Sequence, residues 1–250
     1  MIDGPGCLHH SAHMGATRMK KGRIAMRIAK NIEMLEVKAQ MTYYPVLLWD
    51  GVDMVLFDTG YPGQFEEISK EIARCGFKPE QVTKVLLTHQ DIDHIGSAKI
   101  FREMGAEIMA HIEEAPYIQG DRPLTKIADA ETHVDKFTPD MLAFYENLKV
   151  SAKDAYVHVD SLLSDGQTIN VCGGIKAIHT PGHTPGHVAF MLCDSGIIVC
   201  GDAANIDDGR LIGSNPMYTH DTAAAERSLK KILSFDATGY VCYHSGYLEN

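Results

Sequence analysis

The run Thr88-His89-Gln90-Asp91-Ile92-Asp93-His94-Ile95-Gly96 follows directly on the apolar run Val85-Leu86-Leu87, and it constrains the chain more than any other stretch. His89, Asp91, Asp93 and His94 place four metal-binding side chains within six residues, at the mouth of what reads as a buried strand. Two carboxylates and two imidazoles packed together without a cation suffer desolvation and carboxylate repulsion. The cluster is therefore either solvated or held by a cation.

Composition narrows the partners. A chain of 250 residues with 45% hydrophobic content can bury a large core as one domain, residues 1–250. With 23 basic against 33 acidic residues the net charge is −10, which disfavours nucleic acid and anionic membranes and points to a small-molecule substrate. No apolar run reaches the roughly 18 residues of a membrane span. The opening residues Met1-Ile2-Asp3-Gly4-Pro5-Gly6 also lack the pattern of an export signal, so a cytoplasmic protein is expected. The six cysteines form no Cys-x-x-Cys pair and read as free thiols of a reducing compartment. Thirteen histidines are the sharper signal, because they cluster.

Along the chain, residues 1–25 carry His9, His10 and His13 without a clear period and read as a flexible arm. Short β-rich runs follow at 34–37, 44–49 and 54–57, with Asp50-Gly51 as a hairpin turn. A helix is expected over 64–75, burying Phe65, Ile68, Ile72 and Ala73 and closed by Gly76. The strand 84–87 leads into the metal-type loop, then a helix from Gly96 to Met104 and a strand at 107–110. That order puts reactive groups at a strand's carboxyl end.

Residues 113–154 turn polar and irregular. Phe137, Met141, Leu142, Phe144, Tyr145 and Leu148 suggest a helix with an apolar face, which suits a pocket wall or a homodimer contact. Strands return at 155–159, 167–171, 175–179, 188–192 and 196–200, followed by a helix over 222–233 and a last strand at 239–243. Two β-rich halves with interspersed helices imply an α/β (α+β) sandwich covered by helices.

Three further metal-type positions stand behind predicted strands: His183 in Thr180-Pro181-Gly182-His183-Thr184-Pro185-Gly186-His187, Asp202 in Gly201-Asp202-Ala203, and His244. With the loop at 89–94 they supply enough ligands for two ions sharing one carboxylate. Together with Asp58-Thr59-Gly60 upstream, these motifs resemble, in order and spacing over about 58–244, the metallo-β-lactamase superfamily. The resemblance implies a four-layered αββα sandwich with the active site along one edge. Carried over by position, His89, Asp91 and His183 would hold a first ion, and Asp93, His94 and His244 a second. Asp202 would bridge them. A hydroxide between the ions would be the nucleophile, oriented by Asp93, with Asp93 and Asp202 as the catalytic carboxylates.

Asp91 departs from the family, which usually has histidine there. Two divalent ions, zinc first, are the expected cofactors, with manganese or iron admitted by the harder carboxylate. The flavodiiron branch also carries a carboxylate here, which keeps an iron-dependent oxidoreductase as an alternative, although no flavin domain fits after His244. Size and the 180–187 run most resemble acyl-homoserine-lactone lactonases and glyoxalase II relatives. The expected activity is hydrolysis of a small ester, lactone, thioester or amide, with phosphodiesters as a further alternative. Those lactonases have a tyrosine three residues past the bridging aspartate; Asn205 stands there, and Tyr218 is a candidate replacement. His187 reads as a support for the ligands, Asp58 as a tie between loops, and His111, His158 and His179 as packing or surface residues. His220 reads as the best of that group for lining the pocket, and Asp207-Asp208 as a solvated turn.

Overall fold

A computed structural model describes residues 26–39 and 41–250; the expected arm at 1–25 lies outside these described residues. The strands are β1 (Met26–Ala29), β2 (Ile32–Met34), β3 (Val37–Lys38), β4 (Thr42–Tyr43), β5 (Val46–Trp49), β6 (Met54–Phe57), β7 (Lys84–Leu86), β8 (Glu107–His111) and β9 (Ser161–Leu163). They continue as β10 (Thr168–Ile169), β11 (Ile175–His179), β12 (Val188–Leu192), β13 (Ile197–Gly201), β14 (Ala204–Asp207), β15 (Arg210–Gly213), β16 (Gly239–Cys242) and β17 (Gly246–Glu249). The helices are α1 (Phe65–Arg74), α2 (Ile92–Ile95), α3 (Ala98–Glu103), α4 (Ala115–Ile118), α5 (Thr125–Glu131), α6 (Pro139–Ala155) and α7 (Thr222–Leu233).

One sheet has the order β1-β2-β5-β6-β7-β8-β9 and the other β10-β11-β12-β13-β16-β17. The layers follow from period-2 alternation. In β6, Val55 and Phe57 face the second sheet while Leu56 faces the helices; in β13, Ile197 and Val199 face the first sheet while Ile198 and Cys200 face α7. Ile68 and Ile72 of α1 and Phe101 of α3 cover the first sheet's outer face, and Ile232 of α7 covers the second's. Helix, sheet, sheet, helix is the expected sandwich. Phe57 and Phe190 meet between the sheets with ring centroids 5.4 Å apart.

The turns behave as their chemistry requires. Asp50 Oδ1 accepts from the amides of Val52 and Asp53 and fixes the β5–β6 hairpin. Gly76 closes α1 with φ +92°. Four local expectations differ. Residues 155–159 form no strand, because α6 runs on to Ala155 and the sheet resumes only at β9. Ala73 is exposed on α1. Met141, Leu142 and Phe144 of α6 stay exposed, whereas Tyr145 packs with Leu124 and Ile127 of the α5 segment. Asp207 ends β14, paired with Arg210, and the turn of the β14–β15 hairpin is instead Asp208-Gly209.

Helix α2 is one turn long and begins at the metal-type loop, with Asp91 as its N-terminal flank. Its placement depends on Gly96. A Cβ there would fall on the Gly60 carbonyl and the Tyr61–Pro62 backbone. The bare glycine instead lets its amide donate to the Gly60 carbonyl at 2.8 Å.

Candidate metal centre

The centre is built from the carboxyl ends of strands in both sheets. The Asp58-Thr59-Gly60 turn after β6 grips the loop after β7: the Thr59 amide and hydroxyl both donate to the His94 carbonyl, at 2.7 and 2.9 Å. Asp58 holds a left-handed backbone (φ +60°), a strained conformation for a non-glycine residue. Its carboxylate offsets the strain by accepting from the Thr88 amide and hydroxyl, each at 2.8 Å, and from His94 Nδ1 at 2.9 Å. Asp58 thus fixes the His94 ring and leaves Nε2 facing the centre, as carboxylate partners of metal-binding histidines do.

The other imidazoles are steered similarly. His89 Nδ1 lies 3.0 Å from the Thr88 hydroxyl, and His183 Nδ1 lies 3.0 Å from the Ser214 hydroxyl. Tyr243 lies under His94 with ring centroids 3.9 Å apart, and its hydroxyl donates to the Asp93 carbonyl at 2.7 Å. His187 does not join the cluster as a ligand atom. Its Nε2 accepts from the Asp202 amide at 3.1 Å and its Nδ1 meets the Thr180 hydroxyl at 2.8 Å, so it positions Asp202. Gly201 makes room for this, since a Cβ there would lie 2.8 Å from both Thr88 and His187 Nε2.

The structure brings all seven sequence-predicted residues together. His89, Asp91 and His183 form one group of donor atoms, Asp93, His94 and His244 a second, and His89, His94 and Asp202 a third; within each group the atoms lie within 4.8 Å of one another. Asp202 stands between the first two groups: Oδ2 is 3.5 Å from His183 Nε2 and 3.3 Å from His244 Nε2, and Oδ1 is 3.6 Å from His94 Nε2. His89 Nε2, His94 Nε2 and Asp202 Oδ1 are buried without hydrogen-bond partners. Buried polar atoms ordinarily have partners, and three on converging residues fit a cation.

Charge is finely balanced here. Burial and the neighbouring His94 lower His89 to about 4, keeping it neutral and able to ligate. Burial opposes a proton on His244, but hydrogen bonds to Asp202 and Asp93 outweigh it and raise the group to about 10. Burial likewise opposes ionisation of Asp91, and Lys126 and His89 overcome it, holding the carboxyl well below its usual range.

Several participants carried no sequence signal. Lys126, in the segment between β8 and α6, forms an ion pair with Asp91 Oδ2. Glu114 is fully buried behind the loop and accepts from the Gln90 amide at 2.9 Å and the Gly186 amide at 2.7 Å, tying the two histidine loops together. Burial raises it to about 7. Ser214 follows β15 on an irregular loop with no sequence pattern of its own. His220 is half-exposed and faces Asp129, His111 stacks on His179, and Asn205 lies on β14 beside Ser245.

A two-sheet sandwich with a cluster of histidines and aspartates on one edge defines a metal-dependent hydrolase fold. The chain belongs to the Metallo-beta-lactamase superfamily, whose sequence pattern matches residues 44–244. It is 27% identical to the probable metallo-hydrolase YflN of Bacillus subtilis (strain 168), over 93% of this chain and 90% of that one. It is 25% identical to the hydroxyacylglutathione hydrolase GloC of Haemophilus influenzae, over 69% and 71% of the two chains. Its fold matches that of a metallo-beta-lactamase family protein from Thermus thermophilus with a TM-score of 0.73 and 24% identity, covering 89% of this chain and 76% of that one.

Proposed function

We propose that the chain is a dinuclear hydrolase of small acyl substrates, an ester, lactone, thioester or amide, with lactones and thioesters the first candidates. The observation that carries the reading is the position of Asp202, whose two oxygens reach histidines of both three-residue groups. His89, Asp91 and His183 would hold one divalent ion and Asp93, His94 and His244 the other. Zinc suits the imidazoles, and Asp91 extends the range to manganese or iron. Such ions, when bound, lower the pKa of water toward about 7 and polarise a substrate carbonyl.

The chain's own groups do the rest. Asp58 and Ser214 fix ring orientation at His94 and His183. His187 and Gly201 set the position of Asp202. Asp93, 3.3 Å from His244 Nε2, is placed to accept a proton from the attacking water and pass it to the leaving oxygen or sulfur. Tyr218, half-exposed and with Lys126 Nζ 5.5 Å from its ring centroid, is the candidate for the role of the lactonase tyrosine. The segment 113–154 forms a wall of the site, since Ile92 of α2 packs with Leu124, Ile127 and Tyr145. The exposed face of α6 is available for a homodimer contact. Free cysteines at 75, 172, 193, 200 and 242 suit a cytoplasmic setting, and no helix among the described residues is long and apolar enough to cross a membrane.

A panel of lactones, thioesters, β-lactams and phosphodiesters, offered to protein reconstituted separately with zinc, manganese and iron, tests the reading. Metal-dependent opening of a lactone or thioester is expected. Cleavage of phosphodiesters alone, or oxygen consumption by the iron form without hydrolysis, would overturn it.

A further inference from the structure

The two ion positions are not equivalent in what surrounds them. Among the described residues no lysine or arginine nitrogen comes within 4.0 Å of the carboxylate oxygens of Asp93 or Asp202 beside His94 and His244. Beside His89, Asp91 and His183 the Lys126 ammonium pairs with Asp91 Oδ2 and lies 3.4 Å from His183 Nε2. These are atoms that a first ion would also engage: Asp91 Oδ2 is itself 3.2 Å from His89 Nε2 and 3.0 Å from His183 Nε2. The ammonium and a divalent ion therefore compete for one carboxylate oxygen.

Lys126 is placed there by construction. It is the second residue of α5, and the preceding Thr125 amide donates to the buried Gln90 side chain at 2.6 Å. Gln90 sits between the ligands His89 and Asp91, and its own amide donates to buried Glu114. The start of α5 is thus bonded to the ligand loop, which fixes the root of the lysine side chain. The half-exposed Tyr218 ring, its centroid 5.5 Å from Nζ, already lies within cation–π reach of the ammonium and can hold it when Asp91 is given up.

We infer that Lys126 is a built-in competitor for the first ion: the second position fills first, and the first fills only as the lysine leaves Asp91 for the Tyr218 ring. This rests on the two-ion reading above. It assigns a consequence to the carboxylate at position 91, because a neutral imidazole there carries no charge and could not form an ion pair with the lysine. The first ion becomes the exchangeable one, and its occupancy is tied to the segment that walls the site.

Calorimetric titration of metal-depleted protein with zinc, paired with metal content after gel filtration, tests the inference without recourse to turnover. The wild-type chain is expected to bind two ions in separated steps. Lys126→Met should tighten the weaker step by about 10- to 100-fold, the range over which groups touching metal ligands move affinity, and leave the tighter step unmoved. Lys126→Arg, which keeps the charge, should keep the steps apart, and Asp91→Asn should lose the weaker step. Circular dichroism and thermal unfolding of the metal-depleted variants establish that they fold. An unchanged weaker step in Lys126→Met would overturn the inference and leave the two-ion reading standing. One ion at most in both wild type and Lys126→Met would overturn both.

Discussion

At the scale of single residues, the centre depends on groups that never reach an ion position. Asp58 and Glu114 are both buried acids, yet their environments set them different tasks. Asp58 accepts three hydrogen bonds, one of them from His94. Glu114 accepts two backbone amides, and burial outweighs its hydrogen bonds, raising it from 4.5 to about 7. The sign follows. A carboxyl whose folded pKa lies above its unfolded value favours folding below pH 4.5, and that contribution is lost as pH rises through about 7. Glu114→Gln should remove this slope, so the difference in urea-unfolding free energy between metal-depleted wild type and variant should change by on the order of 3 kcal/mol across that window. Parallel stability curves would show that Glu114 does not titrate there.

The seven candidate ligands were legible in the sequence because each follows a strand, and a strand's end is a place where chain order predicts position. Lys126, Ser214 and Glu114 were not legible. Lys126 lies in the first turn of α5, a seven-residue helix too short to show a clear period, Glu114 just before the four-residue α4, and Ser214 on an irregular loop; only the packed structure carries them to the site.

At the scale of elements, two tight backbone contacts place the ligand loops. Gly96 allows α2 to lie against the Asp58-Thr59-Gly60 turn, and no side chain has room at that position. Gly96→Ala keeps an ordinary helical φ and acts by overlap alone, so it should destabilise by about 3 kcal/mol or more and weaken metal retention at the same time. Thermal unfolding with and without metal measures both effects. An Ala variant as stable as wild type would mean the turn moves freely relative to the loop.

Helix periodicity locates α1, α3 and α7 to within a few residues. The strand expected at 155–159 is absent, because the run of β-branched and aromatic residues there serves instead as the connection from α6 to β9; Val157 and Val159 are both core residues. The β14–β15 hairpin gives no such signal, since both strands are four residues long and, Ala204 apart, their side chains are only partly buried or exposed.

At the scale of the molecule, the sandwich is a rigid frame that brings four separate strand ends to one edge. Its inter-sheet core can be weakened without touching the ligands. Phe190 is fully buried against Phe57, and Phe190→Ala should cost about 3–5 kcal/mol of stability. Metal content of the folded fraction should be unchanged, as measured by metal analysis after gel filtration. Loss of metal in step with loss of stability would mean that the frame and the centre are one cooperative structure.

In the proposed hydrolase a single carboxylate, Asp202, joins two ion positions into one centre, and Asp202→Ala, with metal content and hydrolysis of the best substrate in the panel read on the same sample, is the sharpest test. Loss of metal from both positions and a fall in turnover of at least about 100-fold are expected, as when a group supporting electrostatic stabilisation is removed. A variant that retains two ions and hydrolyses at the wild-type rate would contradict that role of Asp202.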